Sequence, residues 1–182
     1  MEQRQGADHG RRQQDRGGST AAMHRVNRIV RHPLWQGAAA QIEKAETDRI
    51  FCGHDLDHFL HVARMAYIEN LERHLQLSKE LIYAAALLHD IGRGLEYEQG
   101  IPHDEASCAL AETILTDCGF CQGEREAVVD AISAHRDPDT AGRDDLAGVL
   151  YRADKGSRPC FWCQAESLCN WKEDKKNKEL EK

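Results

Sequence analysis

Apolar residues recur three, four and seven positions apart along most of the chain, and no stretch keeps the strict alternation of a β-strand. This pattern predicts an all-α protein. The expected helices lie near residues 23–50, 56–77, 79–91, 103–118, 123–135 and 143–154. Pro33 interrupts the first of these segments, and we expect it to kink or split that helix because proline cannot donate the helical hydrogen bond.

Three regions of the chain differ in composition. Residues 1–21 are rich in Gly, Gln and Arg and lack an apolar period, which predicts a disordered tail. Residues 22–158 carry the helical pattern and predict a single helical-bundle domain. Residues 159–182 form a cysteine-rich extension that ends in a run of mixed charges.

The length, net charge and apolar content of the chain exclude several classes of protein. The 182 residues suffice for one domain with a sizeable core, and the net charge of −7 argues against a broad nucleic-acid-binding surface. No apolar run is long enough to span a membrane, and the N-terminus lacks the apolar core of a signal peptide. We therefore expect a cytoplasmic protein that binds neither nucleic acid nor membrane.

Six imidazole or carboxylate groups fall on the apolar side of a predicted helix or at its end. They are His58, His89, Asp90, His103, His135 and Asp154. The last of them continues a four-residue spacing set by Leu146 and Leu150. No lysine or arginine is evident on the facing stripes, so two buried carboxylates would need another source of positive charge. A bound divalent ion of Fe, Mn, Co, Ni or Zn would supply it.

The chain contains three His-Asp doublets, and their positions relative to the helices differ. Only His89-Asp90 follows an apolar helix, in "AALLHD". The doublet His54-Asp55 precedes its helix, and His103-Asp104 lies at a helix start, where a carboxylate has the ordinary role of favouring the N-terminus. Neighbouring helical residues diverge by about 100°, so Asp90 could reach a second ion while His89 holds the first.

The order of these ligand-type residues, with the segments "DHFLHVARMA", "AALLHDIGR" and "YRADKGSR", resembles the HD superfamily of metal-dependent phosphohydrolases over about residues 50–158. The resemblance implies an HD-type helical bundle with one or two metals. It implies that the first metal is held by His58, His89, Asp90 and Asp154. It implies that a second metal is held by His103 and His135, with Asp90 bridging the two ions.

The same resemblance implies that water attacks a phosphoester or phosphoanhydride of a nucleotide or related small substrate, without a covalent enzyme intermediate. Asp90 and Arg93 are the expected catalytic residues. Arg93 stands where many family members have lysine, and it would stabilise charge on the phosphoryl oxygens. Lys155 and Arg158 either reach the substrate phosphate or remain solvated.

Two further histidines flank the first predicted ligand. His54 and His61 lie four positions before and three positions after His58. One alternative is that each of them supports the site or faces the substrate. The other is that each is an exposed polar residue. Two other functions stay open at this point: a di-iron HD-type oxygenase, and a non-enzymatic metal or redox sensor. Release of phosphate would indicate the hydrolase, and consumption of oxygen would indicate the oxygenase.

Cysteines cluster in the C-terminal extension, in "CFWCQAESLCNW". We predict that they bind a separate iron–sulfur cluster or zinc ion, because thiolates so close together repel one another unless a cation neutralises them. The predicted ligands are Cys160, Cys163 and Cys169, with Cys52 as the fourth. A competing set pairs Cys118 and Cys121 with Cys160 and Cys163. Free cysteines packed in a small subdomain are the remaining alternative.

Overall fold

A computed structural model describes residues 23–180. Within this range the chain forms eight α-helices and four short 3₁₀ turns, without a β-strand, and the all-α prediction is confirmed. The helices are α1 (His24–Arg31), α2 (Pro33–Ala45), α3 (Leu56–Glu72), α4 (Lys79–Leu88), α5 (Arg93–Gln99), α6 (His103–Cys118), α7 (Gln122–Ala134) and α8 (Leu146–Gly156). The tail predicted for residues 1–21 lies outside the described residues.

Two of the predicted helical segments are longer than the helices in the structure. The segment 23–50 is divided at His32, whose backbone is extended, and Pro33 begins α2 at a position where no helical amide bond is required. The segment 56–77 ends at Glu72, because His74 and Gln76 have φ angles of 54° and 59°, which a right-handed helix cannot contain. The loop that follows Glu72 returns the chain to α4.

The segment around the central His-Asp doublet also differs from the prediction. Helix α4 ends at Leu88, so His89 and Asp90 lie in the turn after the helix rather than inside it. The short helix α5 was not predicted, since its seven residues show too little apolar periodicity. Gly100, with φ of 72°, ends α5 in the left-handed conformation that glycine adopts without steric cost.

Helix α4 lies at the centre of the bundle and contacts α1, α3, α6, α7 and α8. Its consecutive residues 84–88 are all buried, which explains why this segment is apolar on every side. Phe59 of α3, Ile132 of α7 and Leu150 of α8 are buried in the same core. Because other helices surround α4, the turn that follows it lies in the interior of the protein.

The C-terminal extension folds back onto the end of α8. It contains three 3₁₀ turns, Cys160–Trp162, Glu166–Leu168 and Glu173–Lys175. Asn177 secures the return, since its side-chain amide donates hydrogen bonds to the carbonyl oxygens of Lys155 and Arg158 at 2.8 Å each. No helix in residues 23–180 is long and apolar enough to cross a bilayer.

Candidate metal centre

The six predicted imidazole and carboxylate groups meet in the interior of the bundle. Ligand atoms of one group lie within 4.8 Å of one another: His58, His89, Asp90 and Asp154. Those of a second group do the same: Asp90, His103 and His135. The two groups share Asp90, and five of the six residues are buried while His58 is partly buried. The structure therefore brings together residues that five separate segments of the chain supply.

The carboxylate of Asp90 faces both groups at once. Its Oδ2 atom lies 3.3 Å from Nε2 of His89 and 3.9 Å from Nε2 of His58. Its Oδ1 atom lies 3.2 Å from Nε2 of His103 and 3.6 Å from Nε2 of His135. Each carboxylate oxygen thus faces two imidazoles of a different group, an arrangement that suits a carboxylate shared by two cations.

Asp154 closes the first group from α8. The four-residue spacing from Leu150 places Asp154 on the buried face of that helix. Its Oδ1 atom lies 3.5 Å from Nε2 of His58 and 3.7 Å from Nε2 of His89. Asp154 is therefore oriented by the regular geometry of a packed helix, whereas Asp90 is oriented by a turn.

The expectation that no basic side chain faces these carboxylates is wrong. Lys155 Nζ lies 2.5 Å and Arg158 Nη2 lies 3.3 Å from the two oxygens of Asp154, and Arg93 Nε lies 3.2 Å from Oδ1 of Asp90. Arg158 is buried rather than solvated. Its contact with Asp154 was missed because the predicted helix ended at residue 154, although Arg158 lies four positions further along the chain. Charge balance alone therefore does not require a metal ion. The evidence for a metal site comes instead from the imidazoles.

Three imidazoles are held by hydrogen bonds at their Nδ1 atoms. The acceptors are Ala86 O at 2.8 Å from His89, Ile132 O at 2.5 Å from His135, and Glu96 Oε2 at 2.9 Å from His103. When Nδ1 carries the proton and donates it, Nε2 presents a lone pair. These contacts turn the Nε2 lone pairs toward Asp90, as the outer hydrogen bonds of metal-bound histidines do.

Four atoms at the centre of the site are buried without a hydrogen-bond partner. They are Nε2 of His58, His89 and His103, and Oδ2 of Asp90. Leaving one buried polar atom unpaired costs about 1–3 kcal/mol, so a cluster of four unpaired atoms needs an explanation. Imidazole nitrogen and carboxylate oxygen are ligands of Zn, Fe, Mn, Co and Ni. The donor set fits a divalent transition-metal ion.

Without a cation, the proton distribution of the first group is uneven. Burial alone would lower the pKa of His89, but the carboxylates of Asp90 and Asp154 outweigh it and raise that pKa to about 10. Burial and the neighbouring His89 lower the pKa of His58 to about 3. Without a cation His89 is therefore protonated at both ring nitrogens, and a metal ion would displace the proton on Nε2.

A second layer of contacts lies behind Asp90 and was largely missed from the sequence. His54 is only 3% exposed, and its Nε2 atom lies 3.7 Å from Oδ2 of Asp90. Its Nδ1 atom lies 2.5 Å from Glu46 Oε1, which also accepts a hydrogen bond from the Tyr97 hydroxyl at 2.6 Å. By contrast His61 is exposed and lines a separate cavity. Glu46 and Tyr97 carry no signal in the sequence, because they meet His54 only through tertiary packing.

A cavity of about 710 Å³ opens from the second group toward solvent. His103, His135 and Arg93 line it. Trp171 and Lys172 of the C-terminal extension line the same cavity. Its volume falls within the range of small-molecule binding sites.

The predicted cysteine cluster is not formed. Within residues 23–180, no group of three ligand atoms lying within 4.8 Å of one another includes a cysteine, and neither predicted set of thiols is brought together. All seven cysteines are free. Cys160 begins the first 3₁₀ turn of the extension and is buried, whereas Cys169 follows the second turn and is partly exposed. Cys52 instead contacts the side chain of Arg158.

Comparison with known proteins identifies relatives of the region that contains the candidate metal centre. The family model described as HD domain matches residues 55–158. A protein of Clostridium beijerinckii, described as an uncharacterized protein, is 41% identical over 155 residues, which cover 85% of this chain and 97% of that protein. Ribonuclease Y of Thermus thermophilus is 41% identical over 98 residues, and ribonuclease Y of Aquifex aeolicus is 34% identical over 91 residues. Those alignments span about half of this chain but only 15% of each ribonuclease Y. No solved structure matched the chain.

Proposed function

The chain belongs to the HD domain family, and from this premise we propose that it hydrolyses a phosphoester or phosphoanhydride of a nucleotide or related small molecule. The observation that carries the proposal is the position of Asp90. Each of its two oxygens faces two imidazoles of a different group, and three of these four imidazoles have Nε2 atoms without a hydrogen-bond partner. A bridging carboxylate of this kind supports a site for two divalent cations.

In this proposal the two groups of the candidate centre hold one cation each. The first is held by His58, His89, Asp90 and Asp154, and the second by Asp90, His103 and His135. Divalent cations in these positions lower the pKa of water and neutralise charge on phosphoryl oxygens. The protein then has to bind the substrate phosphate and hold it in place, which its own basic side chains can do.

Arg93 is the strongest candidate for that task. Its Nε and Nη1 atoms lie 3.2 Å from Asp90 Oδ1 and 3.1 Å from Glu96 Oε2, which fix the guanidinium at the edge of the cavity. A guanidinium presents a planar set of donors that suits two phosphoryl oxygens. Lys155 lines the same cavity and supplies a second positive charge beside Asp154.

The names of the relatives bear on the choice of substrate. The two ribonuclease Y proteins are named for an activity on RNA, but this chain aligns with only 15% of either. The net charge of −7 and a cavity of about 710 Å³ favour a small substrate over a long nucleic acid. We therefore place single-stranded RNA in the test as a competing substrate rather than as the proposed one.

The test measures phosphate release from a panel of nucleoside mono-, di- and triphosphates, and cleavage of a short single-stranded RNA by gel electrophoresis. The protein is stripped of metal and reconstituted separately with Mn²⁺, Fe²⁺, Co²⁺, Ni²⁺ and Zn²⁺. We expect hydrolysis of small phosphates that requires added metal and is lost in Asp90→Asn. Oxygen consumption with reduced iron and no phosphate release would instead favour an oxygenase. Metal binding without turnover of any substrate would favour a sensor.

A further inference from the structure

One side of the cavity is built by a segment that lies beyond the family match, which ends at residue 158. We name this segment, residues 170–177, the C-terminal wall. Its lining side chains are Asn170, Trp171, Lys172, Asp174, Lys175 and Asn177. The same cavity is lined by His103 and His135 of the second group and by Arg93 and Arg136. A bound substrate would therefore lie between the candidate metal centre and the C-terminal wall.

The C-terminal wall is fixed to the domain at two points. Asn177 donates hydrogen bonds to carbonyl oxygens at the end of α8, and its own carbonyl accepts one from the amide of Phe161 at 2.9 Å. The Trp171 ring lies 5.2 Å from the guanidinium of Arg158, which in turn lies 3.3 Å from Asp154. The position of the wall is thus tied to a residue of the candidate metal centre.

Two lysines of the wall differ from the other basic residues around the cavity. Each of the other three basic residues has a carboxylate partner. The carboxylate oxygens lie 3.1–3.2 Å from Nε or Nη1 of Arg93 and Arg136, and 2.5 Å from Nζ of Lys155. Within residues 23–180, Lys172 and Lys175 form no ion pair, although their neighbours Lys176, which is partly buried, and Lys178, which is exposed, pair with acidic residues. Unneutralised charge on one wall of a concave site attracts anions.

We propose that the C-terminal wall selects substrates with a second phosphoryl group beyond the one that reacts, and that Lys172 and Lys175 bind this additional group. The inference rests on the proposed function, which places the reacting phosphate at the histidine-lined end of the cavity. The cavity volume of about 710 Å³ accommodates a ligand that extends from the histidines to the wall. The negative charge of Asp174, in the same wall, leaves the pair of lysines with a net positive charge.

The experiment measures binding by titration calorimetry on the full chain loaded with Mn²⁺, kept in excess over the probe. The probes are methylphosphonate and methylenediphosphonate, which cannot be hydrolysed and differ by one phosphoryl group. The variant is Lys172→Gln/Lys175→Gln. We expect it to weaken binding of methylenediphosphonate about tenfold and binding of methylphosphonate less than about twofold, because only the larger probe reaches the wall.

A matched control removes the same charge elsewhere. Lys44→Gln/Arg64→Gln changes two exposed basic residues that line no part of the cavity, and it should bind both probes as the unaltered protein does. A second variant, Asn177→Ala, releases the wall and should reproduce the selective loss for methylenediphosphonate. Circular dichroism checks that each variant is folded.

The result separates this inference from the proposed function. Equal weakening of both probes in Lys172→Gln/Lys175→Gln, or no weakening of either, overturns the inference even if the protein hydrolyses nucleotides. Selective weakening of methylenediphosphonate supports it even if the phosphate-release panel shows no turnover.

Discussion

Oδ1 of Asp90 lies 3.2 Å from Nε2 of His103, although Asp90 belongs to the turn after α4 and His103 is the first residue of α6. This contact joins the two ligand groups into one centre. Close packing between the turn and the start of α6 makes the contact possible.

Asp90→Asn should abolish binding of divalent metal at both positions, because it removes the charge that the two groups share while keeping the side-chain shape. The measurement is metal content by mass spectrometry after dialysis, with circular dichroism to confirm the helices. Asp104→Asn changes the acid of another His-Asp doublet, one that pairs with Arg136 at the surface, and serves as the control. Retention of two metal equivalents by Asp90→Asn would contradict the bridging role.

His135→Gln should reduce bound metal from two equivalents per chain toward one. The substitution removes a ligand from the second group only, since His135 contacts Oδ1 of Asp90 and not Asp154. His32→Gln, which alters a histidine paired with Asp117 at the surface, is the matched control and should keep both equivalents. A single equivalent in the fully loaded unaltered protein would favour a mononuclear centre.

Gly92 allows the close approach between the doublet's turn and α6. A methyl group at this position would lie 2.6 Å from the carbonyl oxygen of His103 and 2.5 Å from the amide nitrogen of Ser107. Gly92→Ala should therefore destabilise the fold by about 2 kcal/mol or more and weaken the second metal site. Thermal unfolding and metal content measure the two effects.

The control for that substitution is Gly123→Ala. Gly123 lies in α7 with no atom near the position of an added methyl group, so alanine should raise stability by up to about 1 kcal/mol. Equal unfolding temperatures for Gly92→Ala and the unaltered protein would show that the turn and α6 are not tightly packed.

Glu46 should make part of the stability depend on pH. Burial alone would raise its pKa, but hydrogen bonds from His54 and Tyr97 lower that pKa to about 2, against 4.5 for the ordinary carboxyl group. The folded-state pKa is depressed, so this contribution is present above about pH 4.5 and is lost as the pH falls toward 2. Its size is on the order of 2–3 kcal/mol.

Glu46→Gln tests this contribution by urea unfolding between pH 7 and pH 3. The difference in unfolding free energy between the unaltered protein and Glu46→Gln should shrink as the pH falls. Glu43→Gln, on the exposed face of the same helix, should give a small difference that does not follow this trend. A constant difference for Glu46→Gln across the range would show that the Glu46 carboxylate does not stabilise the fold through His54 and Tyr97.

The sequence predicted those features that a local pattern encodes. Helix α6 was predicted with both of its ends, at residues 103 and 118, and Gly119 follows it in the left-handed conformation that commonly ends a helix. Asp154 was placed inward by the four-residue spacing of α8, and His58 by the apolar face of α3. These positions follow from helical geometry alone.

Other features depend on packing between distant segments. Glu46 and Tyr97 reach His54 from α2 and α5, and nothing in the residues near His54 indicates either contact. The C-terminal wall has no apolar period, and its place beside the cavity depends on the hydrogen bonds of Asn177.

Anomalous diffraction from crystals of the protein loaded with Mn²⁺ tests the central claim most directly. We predict two peaks on opposite sides of the Asp90 carboxylate, one among His58, His89 and Asp154 and the other beside His103 and His135. Peaks located away from Asp90, or no peak at the cluster of histidines, would contradict a metal centre built around this residue.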